Sequence, residues 1–206
     1  MNKFGSAVIL AGGKSSRMGF DKKDLVINNE RLLEILTAEL RQVFDEVILV
    51  TNNENNLNIF DFVTGDIIES MGPLSGIYTG LTFASSKYVY VIACDMPIVN
   101  REYINYMIKS LESNENAQSC VTRYEQWIEP FNGFYSKELA LPIKEYLGSN
   151  RRSIYSFLKG VNTFYIDEDI ARNFSQDFKM FYNLNTKDDV IDYKNYLNNN
   201  NKKVGE

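Results

Sequence analysis

The feature that most constrains the fold is a regular alternation between short, wholly apolar runs and segments whose apolar residues recur with a helical period. The run from Val47 to Thr51 is apolar on almost every side chain, whereas the leucines between Leu32 and Leu40 recur at helical spacing. Strands without a polar face are buried on both sides, which requires a parallel sheet covered by helices on each face. The sequence therefore predicts an α/β fold in a single domain, with a doubly wound, mostly parallel sheet.

The same pattern predicts the individual elements. In the first half of the chain we expect strands at Ser6 to Leu10, Val47 to Thr51, Asp66 to Ile68 and Tyr88 to Ala93, with helices at Leu32 to Val43, Gly76 to Ala84 and, after the N-cap Asn100, as far as Leu111. In the second half we expect strands at Ser119 to Arg123, Phe131 to Tyr135 and Asn162 to Ile166, with helices at Lys137 to Leu147, Ser153 to Leu158 and Lys187 to Leu197. The strand after Pro130 is expected to run antiparallel, as a small extension of the sheet. The polar residues 198–206 are expected to form a flexible tail.

Composition excludes several kinds of chemistry. The chain has no histidine, which removes imidazole acid-base catalysis and Ser-His-Asp nucleophiles. Its net charge of −5 and the lack of a basic stripe argue against a nucleic-acid polymer as partner. No run is long enough to span a membrane, and the two cysteines, Cys94 and Cys120, lie in apolar surroundings as reduced core thiols would. We therefore expect a cytoplasmic protein that binds no membrane.

A glycine-rich, cationic loop from Leu10 to Lys22 follows the first strand. In an open α/β sheet, ligands bind beyond the carboxyl ends of the strands, which is where this loop begins. Leu10, Ala11, Gly12 and Gly13 can bring consecutive backbone N–H groups close to anionic oxygens. Three cations of the loop supply countercharge for a polyphosphate: Lys14, Arg17 and Lys22. Such a loop suits phosphoryl or nucleotidyl transfer, although a surface turn rich in Gly, Ser and Lys is the structural alternative.

Other candidate residues follow later strands. Asp95 comes directly after the buried strand that ends at Ala93, where its carboxylate could hold a magnesium ion beside the phosphate loop or simply cap a turn. Gly72 precedes the predicted helix from Gly76, and a helix N-terminus there would face an anion. Asn52 opens the polar break after the second strand and is a further predicted nucleotide contact.

Four motifs in order along the chain resemble the molybdenum cofactor guanylyltransferases, which join GMP to molybdopterin. They are Leu-Ala-Gly-Gly-x-Ser-x-Arg-Met-Gly-x-Asp-Lys from Leu10, Gly-Pro-Leu-Ser-Gly from Gly72, Cys-Asp-Met-Pro from Cys94 and Asn-Leu-Asn-Thr from Asn183. One departure is that Ile68 to Met71 offers no aspartate where some members of the family have one.

The resemblance implies a role for each candidate residue. Residues 1–113 would form the nucleotide-binding half of a domain that extends to residue 197, and residues 114–197 the acceptor-binding half. GTP would be bound by Leu10 to Gly13, Lys22, Asn52, Gly72 and Asp95, with Mg²⁺ on Asp95, and Arg17, Lys22 and Asp95 would be catalytic. Molybdopterin, with or without molybdenum, would be bound by Arg152, Asn183 and Asn185, and molybdoenzyme maturation proteins would be possible partners.

Three other functions stay open on the sequence alone. Molybdopterin cytidylyltransferases resemble this chain but usually have alanine at the position of Gly12. Sugar-phosphate nucleotidyltransferases usually have Gly-Thr-Arg where this chain has Ser16 before Arg17. A non-catalytic adaptor that delivers the cofactor is the third, and the presence of both Lys22 and Asp95 argues against it.

Overall fold

The computed structural model describes residues 2–12, 25–27, 30–53 and 57–203, with side chains as far as residue 197. The strands are β1 (Ser6–Leu10), β2 (Val26–Ile27), β3 (Glu30–Arg31), β4 (Glu46–Val50), β5 (Phe62–Thr64), β6 (Tyr88–Ala93), β7 (Ser119–Tyr124), β8 (Trp127–Ser136) and β9 (Thr163–Asp167). The helices are α1 (Leu32–Leu40), α2 (Pro73–Phe83), α3 (Arg101–Ser113), α4 (Ala140–Gly148), α5 (Ile154–Leu158), α6 (Glu168–Arg172) and α7 (Lys187–Lys203), with 3-10 turns at Lys137–Leu139 and Lys179–Phe181.

Seven of these strands form one sheet in the order β5-β4-β1-β6-β8-β7-β9. β5, β4, β1 and β6 are mutually parallel, and β7 is parallel to β9, whereas β8 runs antiparallel to both of its neighbours. β2 and β3 form a separate antiparallel pair. The predicted fold class is therefore confirmed, and so is the antiparallel direction of the strand after Pro130.

The helices lie on both faces of the sheet. α1 and α3 pack on one face, against a cluster that includes Phe44, Tyr90 and Phe134. α2, α4 and α5 pack on the other face, against side chains such as Val8 and Val91. Because successive side chains of β1 and β6 point to opposite faces, both strands are buried along their whole length except for half-buried Ala93. This explains why the sequence of each strand has no polar face.

α3 begins after its predicted N-cap, whereas α2 begins at Pro73, ahead of its predicted start at Gly76. The side chain of Asn100 caps α3 by accepting a hydrogen bond from the Tyr103 amide at 2.9 Å. α2 begins at Pro73, where the missing N–H costs nothing, and Gly72 precedes it with φ 78° and ψ −171°. That backbone region is almost exclusive to glycine, so the start of α2 depends on residue 72.

Two expectations were wrong. The third strand is Phe62–Thr64 instead of Asp66 to Ile68, because the Asp66 amide donates to the Asn52 side chain and the Ile67 amide to the Thr79 hydroxyl, which leaves neither for a strand ladder. The last helix, which was expected to end at Leu197, continues to Lys203, while the flexibility of residues 198–206 stays a prediction. Extending an established helix by one residue costs little compared with starting one, so polar residues can continue α7.

Within the part of the chain that the structure describes, no helix has both the length and the apolar character required to cross a membrane. Cys94 and Cys120 are buried and unbridged, as expected.

Candidate active site

The carboxyl ends of three neighbouring parallel strands form the frame of the site. Beyond β1, the Ala11 amide donates to the Val50 carbonyl at 2.9 Å, and beyond β6 the Cys94 amide donates to the Leu10 carbonyl at 2.9 Å. The Thr51 hydroxyl donates to the Ala11 carbonyl at 3.1 Å. The backbone that follows each strand is thus held at one edge of the sheet, which brings Leu10 to Gly12 beside Asp95 as the sequence predicts.

Gly12 is solvent-exposed at this edge, and a Cβ atom added to it would meet no atom of the described residues within 4 Å. The described part of the chain therefore leaves room for an anion to approach the backbone at Gly12. Gly13, Lys14, Arg17 and Lys22 lie outside the described residues, and their roles stay predictions.

The predicted nucleotide contact Asn52 is paired with an aspartate that the sequence analysis overlooked. The Asn52 amide group donates to Asp66 Oδ2 at 3.0 Å, and its Oδ1 accepts from the Asp66 backbone N–H at 2.7 Å. Burial raises the pKa of Asp66, and the negative charge of Glu69 adds to this effect, while the hydrogen bond from Asn52 opposes it. The pairing fixes the direction of the Asn52 side chain. An aspartate that follows glycine directly after an edge strand was the available sequence signal.

α2 approaches the end of β1 closely. A Cβ on Gly76 would lie 3.0 Å from a methyl carbon of Leu10 and 3.5 Å from Asp66 Oδ1. The first turn of α2 is therefore adjacent to both the phosphate loop and the Asn52–Asp66 pair. That the segment from Gly72 to Gly76 faces the nucleotide stays a prediction.

A second carboxylate, Glu129, lies near Asp95. The β6–β8 ladder ends with Ile92 opposite Asn132, so Asp95 and Glu129 both lie beyond the same end of this ladder, although Glu129 remains in β8 opposite Thr122 of β7. Glu129 is only 7% exposed, and its Oε1 accepts a hydrogen bond from the Phe131 amide at 3.0 Å. Burial, against the opposing hydrogen bond from the Phe131 amide and with a smaller contribution from the Asp95 charge, raises the pKa of Glu129 to about 7. Sequence reasoning missed Glu129, and its only signal was an acidic residue before a proline in an apolar strand.

The segment that contains Asn183 and Asn185 is attached directly to Asp95. The Leu184 amide donates to the Asp95 carbonyl at 2.8 Å. Leu184 is fully buried, whereas Asn183 is half-buried and Asn185 is exposed. The two predicted acceptor-binding asparagines therefore come next to the predicted metal ligand although about ninety residues separate them in the sequence.

Arg152 is placed differently. It is exposed and precedes α5, which packs on the face of the sheet that carries α2, whereas Phe181, just ahead of Asn183, packs on the opposite face. Its guanidinium lies 3.4 Å from Asn150 Oδ1, and no described hydrogen bond or ion pair joins it to Asp95 or to the two asparagines. The neighbouring Arg151 stacks over the Tyr146 ring at 4.2 Å. An acceptor-binding role for Arg152 stays a prediction.

The oxygen donors at this edge suit a hard cation. Asp95 and Glu129 supply carboxylates, and Asn183 and Asn185 supply amide oxygens, the ligand types that Mg²⁺ prefers. Among the described residues, no group of three or more acidic, cysteine or histidine side chains converges as a preformed metal cage. A site that borrows oxygens from substrate phosphates needs only one or two protein carboxylates, so the donors fit magnesium bound together with a nucleotide.

Comparisons with known proteins agree with this geometry. A family model described as a MobA-like NTP transferase domain matches residues 7–163. The chain is 49% identical over 195 residues to the probable molybdenum cofactor guanylyltransferase of Peptoclostridium acidaminophilum, covering 92% of this chain and 88% of that protein. It is 50% identical over 188 residues to the molybdenum cofactor guanylyltransferase of Syntrophotalea carbinolica, covering 91% and 89%. The crystal structure of molybdopterin-guanine dinucleotide biosynthesis protein A from Archaeoglobus fulgidus superposes with a TM-score of 0.79 at 20% identity, covering 94% of this chain and 99% of that one.

Proposed function

We propose, from the premise that this chain belongs to the family of MobA-like NTP transferase domains, that it transfers GMP from GTP to the terminal phosphate of molybdopterin. The products are pyrophosphate and molybdopterin guanine dinucleotide. The observation that carries the proposal is about 50% identity, over nine-tenths of the chain, to two proteins named for this activity. The common edge that joins Leu10 to Gly12, Asp95 and Asn183 supports it independently.

In this reaction an oxygen of the acceptor phosphate forms a bond to the α-phosphorus of GTP, and the bond from that phosphorus to the oxygen bridging to the β-phosphorus breaks. A phosphate monoester is already anionic near neutral pH, so the attack requires no general base and hence no histidine. The chain contributes mainly by positioning and charge stabilisation. The backbone of Leu10 to Gly13 would cradle the phosphates, and Arg17 and Lys22 would balance the charge that develops.

Asp95 is the proposed ligand of Mg²⁺, which when bound would offset negative charge on the triphosphate. Asn52 and Gly72 would contact the nucleotide, with Asn52 held in place by Asp66. On the acceptor side, Asn183 and Asn185 lie next to Asp95 through the Leu184 hydrogen bond, and Arg152 is the remaining proposed contact. We place the protein in the cytoplasm, where molybdoenzyme maturation proteins would receive its product.

The test measures pyrophosphate release with molybdopterin, or with a sugar phosphate in its place, and each of the four nucleoside triphosphates in turn. Binding of each nucleotide is measured alongside. We expect release with GTP. Release with CTP alone would indicate a cytidylyltransferase, release only with a sugar phosphate as acceptor would indicate the second enzymatic alternative, and binding without release would indicate an adaptor.

Two variants test the residue assignments. Asp95→Asn should abolish turnover without loss of the fold, because asparagine is close in size to aspartate and keeps the backbone carbonyl that accepts from the Leu184 amide. Lys22→Ala should raise the Kd for GTP, since a phosphate countercharge is lost. Full turnover in Asp95→Asn would refute the metal assignment.

A further inference from the structure

Asp189, in the first turn of α7, closes the segment from Tyr182 to Thr186 into a compact loop. Its Oδ2 accepts hydrogen bonds from the backbone N–H groups of Asn185 at 2.8 Å and Thr186 at 2.7 Å. Its Oδ1 accepts from the Tyr182 hydroxyl at 2.9 Å. The Asp189 amide in turn donates to the Thr186 hydroxyl at 3.2 Å. One side chain therefore holds both ends of the segment that carries Asn183 and Asn185.

The middle of this loop is fixed at a different place. Leu184 donates its N–H to the Asp95 carbonyl at 2.8 Å. Its side chain is fully buried in a cluster with Val190 and Tyr193 of α7 and with Leu25 and Ile27, the first described residues after the phosphate loop. Among the described contacts, Asp189 thus holds the loop at both ends and the Asp95 carbonyl holds it in the middle.

These attachments determine where the two asparagine side chains lie. With Leu184 buried between them, Asn183 and Asn185 belong to the less buried side of the loop. Asn183 also donates from its amide group to the Phe181 carbonyl at 3.1 Å, which limits its rotation. Loss of Asp189 would remove the acceptor of the Asn185 amide, one of the bonds that fix the backbone from which the Asn185 side chain extends.

We propose that Asp189 is a positioning residue for the acceptor. It holds Asn183 and Asn185 at a fixed position relative to Asp95 and thereby determines the affinity for the acceptor, with little effect on the affinity for the nucleotide. This inference rests on the proposed function, because it takes the two asparagines as acceptor contacts. Asp189 itself touches no substrate. Its role is to restrict the loop before the acceptor binds, so that less conformational entropy is lost on binding.

The chain offers a matched control. Asp188 is the preceding residue, is exposed and lies in the same first turn of α7, so removing either carboxylate weakens the favourable interaction with the helix dipole similarly. Asp189→Asn is the conservative variant, since its oxygen can still accept from the two backbone N–H groups while its NH₂ faces the Tyr182 hydroxyl. Asp189→Ala removes every side-chain contact.

We expect Asp189→Ala to raise the KM for molybdopterin by about 10–100-fold, the usual effect of losing a residue that orients a ligand-binding group. The KM for GTP should change by less than about threefold, as expected when the altered contacts lie away from the nucleotide. Asp188→Ala should resemble the unaltered protein, and Asp189→Asn should recover most of the acceptor affinity. Equal rises in both KM values, or equal behaviour of Asp189→Ala and Asp188→Ala, would overturn the proposal.

A second readout does not depend on activity. Hydrogen exchange at the Asn185 and Thr186 amides should be faster in Asp189→Ala than in Asp188→Ala, because these amides lose their acceptor. If the unaltered protein shows no transfer with GTP, the proposed function fails while the exchange result still tests the anchor. If Asp189→Ala does not fold, Tyr182→Phe removes the Oδ1 contact alone and should produce a smaller rise in acceptor KM; no rise at all would count against the proposal.

Discussion

Replacing Glu129 with glutamine should change how the stability of the protein depends on pH. The buried carboxyl of Glu129 has a pKa raised from its ordinary value of 4.5 to about 7, mainly because burial disfavours the charged form, with a further contribution from Asp95. The folded protein therefore binds this proton more tightly than the unfolded chain does. The stabilisation that results is fully present below pH 4.5 and is lost as pH rises through 7. A rise in pKa of this size corresponds to about 3 kcal/mol.

Glutamine is neutral at every pH and keeps an oxygen that can accept from the Phe131 amide. The free energy of unfolding of Glu129→Gln, relative to the unaltered protein, should therefore increase by about 2.5 kcal/mol between pH 5 and pH 8, because part of the change occurs below pH 5. The other groups near Glu129 include the hydroxyls of Tyr90, Tyr124 and Tyr135, whose pKa values are also raised, so they stay neutral over this range.

Urea unfolding at four pH values from 5 to 8, without divalent metal, measures this difference. Glu112→Gln removes an exposed carboxylate from α3 and serves as the control, for which we expect a nearly constant difference across the range. A constant difference for Glu129→Gln as well would show that burial does not hold this proton, and the reasoning from burial would be wrong. When both proteins also carry Asp95→Asn, the pH-dependent difference in unfolding free energy between Glu129→Gln and the protein with Glu129 should be smaller, because one source of the raised pKa of Glu129 is removed.

Three further substitutions test the frame of the site. Gly80→Ala should destabilise the protein by about 1–3 kcal/mol in urea unfolding, because the new methyl would lie 2.7 Å from a methyl carbon of Val8. Gly72→Ala should destabilise the protein by about 1–3 kcal/mol through backbone strain, and should raise the Kd for GTP measured by calorimetry. An unchanged Kd would show that the start of α2 does not contribute to nucleotide binding. Asn132→Ala should cost about 2 kcal/mol, since it leaves the Tyr90 hydroxyl and the Met180 carbonyl without their buried partner, and a loss below 0.5 kcal/mol would contradict that role.

The sequence predicted those parts of the fold that depend on local pattern. β1 and β6 were predicted with their observed bounds because both strands are apolar on every face, a requirement of position in the middle of the sheet. The N-cap at Asn100 was predicted because a capping side chain acts on an amide three residues away. The false strand at Asp66 to Ile68 shows the limit of this approach: its amides bond to side chains of distant residues, which no local pattern reveals.

The candidate site was predicted where a motif follows a strand and missed where a side chain acts through tertiary contact. Asp95 follows an apolar strand, so its position at the sheet edge could be inferred. In the sequence, Glu129 is an acidic residue before a proline, ahead of the strand predicted from Phe131, and its raised pKa depends mainly on its burial in β8 near Asp95. Asp189 is similar, because its hydrogen bonds to Tyr182 and Asn185 matter only once Leu184 is attached to Asp95.

The frame of the site depends largely on backbone groups. Among the described residues, the hydrogen bonds that join Leu10 to Cys94, Ala11 to Val50 and Asp95 to Leu184 run between main-chain atoms. A substitution such as Asp95→Asn leaves every one of these main-chain bonds in place while it removes the charge of the carboxylate. Loss of turnover in that variant would therefore report on chemistry, whereas Gly72→Ala and Asp189→Ala change how the segments are held. Catalytic and positioning roles can then be separated by experiment, because the predicted metal ligand is attached to its neighbours through main-chain bonds that its side chain does not supply.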